Sequence, residues 1–244
     1  MSMKKIAFYV EGQTEMLFME KLIIEIAGQK NIQIEFQQFQ GKKKPIKYIS
    51  IKTTISTQNP QYYILIYDCM GDGSVKSRML EDANSLFLQN YTEIIGLIDL
   101  FPNFSLADLA KLEKYIIGGI QENGKTTPSL PAKTSIVIAV REIEDWFLAE
   151  CNHYFHIDNL LNDILISTSE LKFNPWTDDL TIRKGSASKD LNAVYKLVGK
   201  DYNKHLETTS KTINCLDYAN LYLNIRAKIP KLDELITKID TFLT

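Results

Sequence analysis

Apolar runs that each lead into an acidic residue recur along the first part of the chain. These runs are too short for buried helices and lack polar alternation, which is typical of strands covered on both faces of a sheet. The segment 32–39 alternates instead, and this predicts a strand nearer the sheet edge. The continuous runs are residues 6–10, 62–67, 94–98 and 136–140, and the acids that follow them are Glu11, Asp68, Asp99 and Glu142.

Segments with helical periodicity separate these strands. A first helix is predicted to begin with Thr14 as its N-cap, and others cover residues 46–55, 74–88 and 100–121. Alternating strands and helices imply right-handed crossovers and a mostly parallel sheet with helices on both faces. From Trp146 onward the apolar pattern is helical. We therefore predict an α/β fold in which residues 1–150 form a sheet domain and residues 151–244 form a mainly helical extension packed on it.

Acidic residues are predicted to meet at one edge of this sheet, because the carboxyl ends of parallel strands lie together. Carboxylates that are brought together repel one another, so a cation is expected between them. Oxygen ligands without His or Cys select Mg²⁺ or Mn²⁺ over zinc, and such ions suit phosphoryl transfer. The residues concerned are Glu11, Asp68, Asp72, Asp99, Glu142 and Glu144.

Each of these acids also has a structural interpretation. Glu11 precedes the first predicted helix, where a carboxylate could satisfy the amides of the next turn instead of acting chemically. Other acids could pair with Arg78, Arg141 or Arg183, and we expect some of the set to be caps or ion-pair partners. Residues 183–189 are a candidate for phosphate contact, because small residues let a backbone approach a phosphate. The alternative for this segment is a plain capping loop in which Ser188 caps the helix from Lys189.

Overall charge and hydropathy narrow the class of protein. The chain has 244 residues, and its 28 Lys and Arg oppose 30 Asp and Glu for a net charge of −2, so any nucleic-acid contact has to come from local patches. No apolar run approaches the length of a membrane span and the N-terminus lacks a signal-peptide core, which predicts a cytoplasmic protein without membrane contact. The three widely spaced cysteines argue against a disulfide framework.

The residues that follow the predicted strands also match motifs of a known family. The sequence Val10-Glu11-Gly12-Gln13-Thr14-Glu15, with Asp68 and Asp72 after a later strand, resembles the Toprim domain, especially its form in OLD-type nucleases. Residues 96–102, 141–148 and 187–191 look like motifs of an uncharacterised bacterial Toprim-related family, so the resemblance covers most of the chain. The chain departs from the family at Met70, which stands where the second aspartate of an Asp-x-Asp pair is usual.

The resemblance implies roles for individual residues. Glu11 would be a general acid or base, and we assign Lys189 to catalysis beside it. By the same resemblance Asp68 and Asp72 would bind Mg²⁺ or Mn²⁺, and we assign Asp99, Glu142 and Glu144 as further ligands from their positions at strand ends. The candidates for phosphate binding are Gly12, Arg183, Lys184 and Ser188.

Two functions are open from the sequence. The first is a metal-dependent, nuclease-like Toprim protein that cleaves phosphodiester bonds, with a role in bacterial defence against phage or foreign DNA. Its candidate partners are nucleic acid, an ATPase encoded alongside it and a second copy of the chain. The other function is a non-catalytic Toprim-fold module that binds or regulates a partner ATPase or nucleic acid, which the near-neutral charge and Met70 favour.

Overall fold

The computed structural model describes residues 3–40, 47–53, 59–71, 73–118, 121–122 and 125–244. In these residues the strands are β1 (Lys4–Val10), β2 (Ile32–Gln40), β3 (Lys47–Thr53), β4 (Tyr62–Asp68), β5 (Tyr91–Asp99), β6 (Gln121–Glu122), β7 (Lys125–Thr126) and β8 (Thr134–Ala139). The main sheet has the order β3-β2-β4-β1-β5-β8, and β6 and β7 form a separate antiparallel pair. The predicted α/β class with a mostly parallel sheet is confirmed, because five strands run parallel and only the edge strand β3 pairs antiparallel, with β2.

Helices connect the strands and make up the chain beyond β8. Residues 140–244, all of which the structure describes, contain helices and turns but no strand, which confirms the predicted helical C-terminal part. Short 3₁₀ turns lie at Leu106–Asp108 and Leu180–Ile182, and a π-helical turn lies at Leu221–Ile225. The α-helices are α1 (Gln13–Ala27), α2 (Val75–Leu88), α3 (Leu109–Ile117), α4 (Glu144–Ala149), α5 (His153–Ile157), α6 (Asp163–Ser167), α7 (Ala187–Lys196), α8 (Leu206–Cys215), α9 (Tyr218–Asn220) and α10 (Pro230–Leu243).

Three of the predicted helices are wrong in type or in bounds. Residues 47–53 form β3, because the β-branched Ile49, Ile51 and Thr53 alternate along the segment and favour a strand. The helix predicted over 100–121 is confined to α3, since a turn at 101–103 precedes it and Gly118, with φ 88°, ends it. The first helix has Gly12 as its N-cap instead of Thr14.

The central strands are buried on both faces. Ala7 and Tyr9 of β1 and Leu65 of β4 share one cluster with the buried face of α2, which includes Met79. The intervening residues of β1, which point to the opposite face, are equally buried. This burial explains why the strand runs carry no polar alternation.

The chain folds into two compact units. The first contains residues 1–98, 107–138 and 238–244, and the second contains residues 99–106 and 139–237. These bounds differ from the domains expected at 1–150 and 151–244, which stay a prediction. In the described residues, no helix has the length and apolar character needed to cross a membrane.

Candidate metal centre

Three predicted acids of the second unit form a cluster. Asp99 is the last residue of β5, Glu142 lies between β8 and α4, and Glu144 is the first residue of α4. Each offers one carboxylate oxygen, and these oxygens all lie within 4.8 Å of one another. The cluster could therefore hold a metal ion.

Hydrogen bonds fix the orientation of each carboxylate in this cluster. Asp99 Oδ1 accepts a hydrogen bond from the backbone N–H of Ile143 at 3.0 Å. Glu142 Oε2 accepts from Ser186 Oγ at 2.7 Å and from the Ser188 N–H at 2.9 Å. The third carboxylate, that of Glu144, accepts from the Tyr202 hydroxyl at 2.8 Å.

Lys204 supplies the positive charge of the cluster. Its Nζ lies 3.0 Å from Glu142 Oε1, 3.3 Å from Glu144 Oε2 and 3.9 Å from Asp99 Oδ2. The lysine side chain keeps 38% of its surface exposed, whereas Glu144 is fully buried. The ammonium thus occupies the position among the carboxylates where the sequence predicted a bound cation.

The surroundings shift the pKa values of three of the four charged groups in this cluster, Glu142, Glu144 and Lys204. Burial raises the pKa of Glu144, and the attraction of Lys204 only partly opposes that shift. Burial also acts to raise the pKa of Glu142, but Lys204 and the donors on Ser186 and Ser188 hold it below its ordinary value. The surrounding acids raise the pKa of Lys204 against the effect of its burial. The pKa values of these two neighbouring carboxyl groups are thus shifted in opposite directions by their surroundings.

The donor set fits a hard divalent cation. All three groups are carboxylates, which Mg²⁺ and Mn²⁺ prefer. Glu144 Oε2 is buried, accepts no hydrogen bond from the described residues, and forms an ion pair with Lys204. A cation bound here would supply the positive charge that Lys204 supplies in the structure.

A second ionic network orders the turn that carries Glu142. Arg141 has the unusual φ of 61° and is buried, and its guanidinium binds Asp145 through two nitrogens, one of them at 2.8 Å. The same guanidinium donates to Asp190 of α7 at 2.7 Å. Burial raises the pKa of Asp145 to about 7, against the effect of its pairing with Arg141. The arginine partners at this turn are thus Asp145 and Asp190, neither of which belongs to the six acids for which the sequence predicted caps or ion-pair partners.

The remaining predicted site residues at the strand ends belong to the first unit. Glu11 and Asp68 lie at the ends of the neighbouring strands β1 and β4, at the same edge of the sheet, because Val10 and Asp68 are paired in register. The Glu11 side chain is buried, and its carbonyl accepts from the Gly71 N–H at 2.8 Å. Gly12, a phosphate-binding candidate, has extended backbone that any residue can adopt. Of the described residues, Glu11 and Asp68 join no group of three metal-ligating side chains, and Asp72 lies outside the described residues.

Asp68 is a buried carboxylate with neutral partners. Its Oδ1 accepts from the Met70 N–H at 2.8 Å and its Oδ2 accepts from Gln38 Nε2 at 3.1 Å. Burial raises its pKa, while these two hydrogen bonds act in the opposite direction. The cause of the shift is therefore loss of water, not the repulsion between converging acids that the sequence suggested.

The phosphate-binding candidates near α7 differ in the hydrogen bonds and ion pairs that they form with other residues of the chain. Arg183 donates to both carboxylate oxygens of Asp190 and stacks on Phe173, with its Cζ 4.0 Å from the ring centroid. The Ser188 N–H binds Glu142, and Ser186, not Ser188, caps α7 by accepting from the Lys189 N–H. Among the described residues, the exposed side chains of Lys184 and Lys189 form no ion pair.

Sequence reasoning missed three side chains of this centre: Ser186, Tyr202 and Lys204. All come from polar connections near α7 and α8, where no hydrophobic pattern fixes their position. The one available signal was Ser186 before a helical run, which is a common N-cap pattern. Comparison with known proteins adds no family to this geometry, since no protein-family model, curated protein or solved structure matches the chain.

Proposed function

We propose that the chain is a divalent-metal-dependent, nuclease-like Toprim protein that cleaves phosphodiester bonds in nucleic acid. The observation that carries the proposal is the cluster of Asp99, Glu142 and Glu144, whose oxygens lie within 4.8 Å of one another. These residues would hold Mg²⁺ or Mn²⁺. When bound, such an ion neutralises charge on a scissile phosphate and activates water.

The chain's own residues would have distinct tasks around this ion. Glu142, with its lowered pKa, is ionised near neutral pH and is suited to be a permanent ligand. Glu144, whose pKa is raised by burial, would be the ligand whose ionisation is coupled to binding of the cation. The exposed Lys184 and Lys189 would attract the phosphate backbone of a nucleic acid.

The Toprim resemblance supports the same reaction class and adds its biological setting. It suggests Glu11 as an acid or base, with Asp68 and Asp72 as further ligands, and a role in defence against phage or foreign DNA. A partner ATPase and a second copy of the chain are candidate partners under this proposal. The structural support differs between the two acidic groups, because Asp68 has neutral hydrogen-bond partners whereas the cluster around Glu142 faces a cation.

Cleavage assays with paired variants test this function. Plasmid, single-stranded DNA and RNA would be incubated with Mg²⁺ or Mn²⁺, and we expect cleavage that Glu142→Gln and Asp99→Asn reduce at least about a hundredfold. Glu207→Gln changes an exposed glutamate in the first turn of α8 and serves as the matched control. Cleavage that survives both cluster variants but is lost in Glu11→Gln would assign the chemistry to the first unit. Absence of cleavage on all substrates would contradict the proposed function.

A non-catalytic binding or regulatory module is the second candidate. The observation that favours it is Lys204, whose ammonium already neutralises part of the acidic cluster. Such a module would keep its fold and would bind a partner ATPase or nucleic acid without hydrolysis. Retention of nucleic acid in a gel-shift assay, with no cleavage in either metal, would support this candidate over the first.

A further inference from the structure

The position of Lys204 makes it a competitor for any cation at the acidic cluster. Its ammonium lies within 4 Å of all three carboxylates, and the nearest contact, to Glu142 Oε1, is 3.0 Å. A divalent ion that binds the same three oxygens would need the space in which this ammonium lies. Two cations held so closely would also repel one another strongly in a partly buried site.

The cluster has more negative than positive charge. Three carboxylates face one ammonium, and the nearby Arg141 is committed to Asp145 and Asp190. The fully buried Glu144 Oε2 has no hydrogen bond from the part of the chain that the structure describes, and it faces Lys204 Nζ at 3.3 Å as an ion-pair partner. A divalent cation would compensate this charge more completely than one lysine does.

The lysine can leave without disturbing the backbone that carries it. Tyr202 anchors this connection, since its hydroxyl binds Glu144 and its N–H donates to Asn192 Oδ1 at 3.0 Å. The Lys204 side chain is 38% exposed, so rotation about its own bonds can carry the ammonium into solvent. Exchange of the ammonium for a metal ion therefore requires no unfolding of the loop.

We propose that Lys204 is a built-in counter-ion that stabilises the metal-free cluster and is displaced from it when a divalent cation binds. This inference rests on the proposed metal-binding function of the cluster, and it adds how that binding is regulated. Lys204 lowers the affinity for metal, because every binding event has to break its ion pairs. The same contacts keep the three carboxylates together until an ion arrives.

Calorimetric titration with Mn²⁺ tests the competition directly. We expect Lys204→Met to bind Mn²⁺ at least about tenfold more tightly than the unmodified protein, which corresponds to about 1.4 kcal/mol. Lys200→Met is the matched control, because Lys200 is in the same connection, is 45% exposed and pairs with Asp158 at 3.8 Å. Equal affinity of Lys204→Met and the unmodified protein, or no Mn²⁺ binding by either, would overturn the proposal.

A second measurement needs no variant and covers the case in which Lys204→Met does not fold. The unmodified protein would be acetylated with an amine-reactive reagent, with and without Mn²⁺, and the modification of each lysine would be quantified by mass spectrometry. We expect Mn²⁺ to increase the modification of Lys204 several-fold and to leave that of Lys200 unchanged. Unchanged or reduced modification of Lys204 would refute displacement. Neither measurement involves hydrolysis, so a protein that binds Mn²⁺ in this way but cleaves no substrate would contradict the proposed catalysis alone.

Discussion

Removal of the Tyr202 hydroxyl isolates one contact of the candidate metal centre. The phenol is 2% exposed and donates at 2.8 Å to Glu144, which is fully buried. A hydrogen bond to a charged group contributes about 1.5–3 kcal/mol, and both partners here are shielded from water. Since Lys204 still faces the other carboxylate oxygen, we expect Tyr202→Phe to reduce the free energy of unfolding by about 2 kcal/mol. That loss corresponds to a decrease in Tm of about 4–8 °C for a chain of this length.

The stability lost in Tyr202→Phe should depend on pH, in a direction that follows from the pKa of Glu144. Burial raises the pKa of Glu144 in the folded protein, so this carboxyl stabilises the fold most below its unfolded pKa of about 4.3. Its contribution is lost as the pH rises through the folded value. The Tyr202 hydrogen bond lowers that pKa, so Tyr202→Phe raises it further. The difference in stability between the two proteins should therefore increase as the pH rises through the folded pKa of Glu144, measured by urea denaturation over a pH series that starts at about 4.3.

Tyr218→Phe is the matched control for this prediction. Tyr218 is also buried, but its hydroxyl donates at 3.0 Å to the uncharged carbonyl of Ile213. Its loss should cost about 1 kcal/mol and should not vary with pH in this range. If Tyr202→Phe behaves like Tyr218→Phe at every pH, the phenol does not stabilise a charged carboxylate and the reasoning fails.

Other predictions concern the ionic network, the buried aspartate and the sheet. Arg141→Ala leaves Asp145 buried without its bidentate partner and should destabilise the fold by about 3–5 kcal/mol in urea denaturation. Asp68→Asn should gain stability relative to the unmodified protein as the pH rises above about 4, because burial raises the Asp68 pKa and ionisation then destabilises the fold. Gly96→Ala should cost about 1–3 kcal/mol, because an added Cβ would lie 2.8 Å from the side chain of Ile136.

Each of these variants has a control or a contrary outcome. Lys200→Ala removes an exposed ion pair and should lower the free energy of unfolding by less than about 1 kcal/mol. An equally small loss in Arg141→Ala would contradict the burial of the Arg141–Asp145 ion pair. Among the described residues nothing lies within 4 Å of a Cβ added at Gly73, so Gly73→Ala should leave the Tm nearly unchanged. For Asp68→Asn, thermal unfolding from pH 4 to pH 8 is the measurement. A variant less stable than the unmodified protein throughout would show that the ionised carboxylate is a required hydrogen-bond acceptor.

The sheet could be predicted because its central strands are buried on both faces and so carry an unbroken apolar signal. β1 and β4 are examples: β1 ends at Val10 as predicted, and β4 ends at Asp68, one residue beyond the predicted run. β3 was missed because Ile46, Ile49 and Ile55 in the same segment also match a helical spacing, and pairing with β2 decides the outcome. The alternation of Ile49, Ile51 and Thr53 also matches a strand, so local periodicity alone does not decide between the two structures.

The candidate site could be predicted only in part. Asp99, Glu142 and Glu144 were found because strand ends gather at one edge of a parallel sheet. Lys204 was not predicted, because its position depends on a loop that lies far along the chain from Glu142. Asp68 was correctly expected at a strand end, but its pKa follows from burial, which a sequence does not reveal.

The order of segments in the first compact unit has a consequence for its folding during synthesis. Residues 238–244 belong to that unit, where the Leu243 carbonyl accepts a hydrogen bond from Tyr62 and Phe242 packs edge-on against the same ring. Lys238 also pairs with Glu93 of β5. The ribosome adds these residues only after it has completed residues 1–237, at about 5–20 residues per second. The contacts between the sheet and residues 238–244 can therefore form only after the whole of the second unit has been translated. In a nascent chain that is halted before residue 238, Tyr62 of β4 lacks its contacts with Phe242 and Leu243.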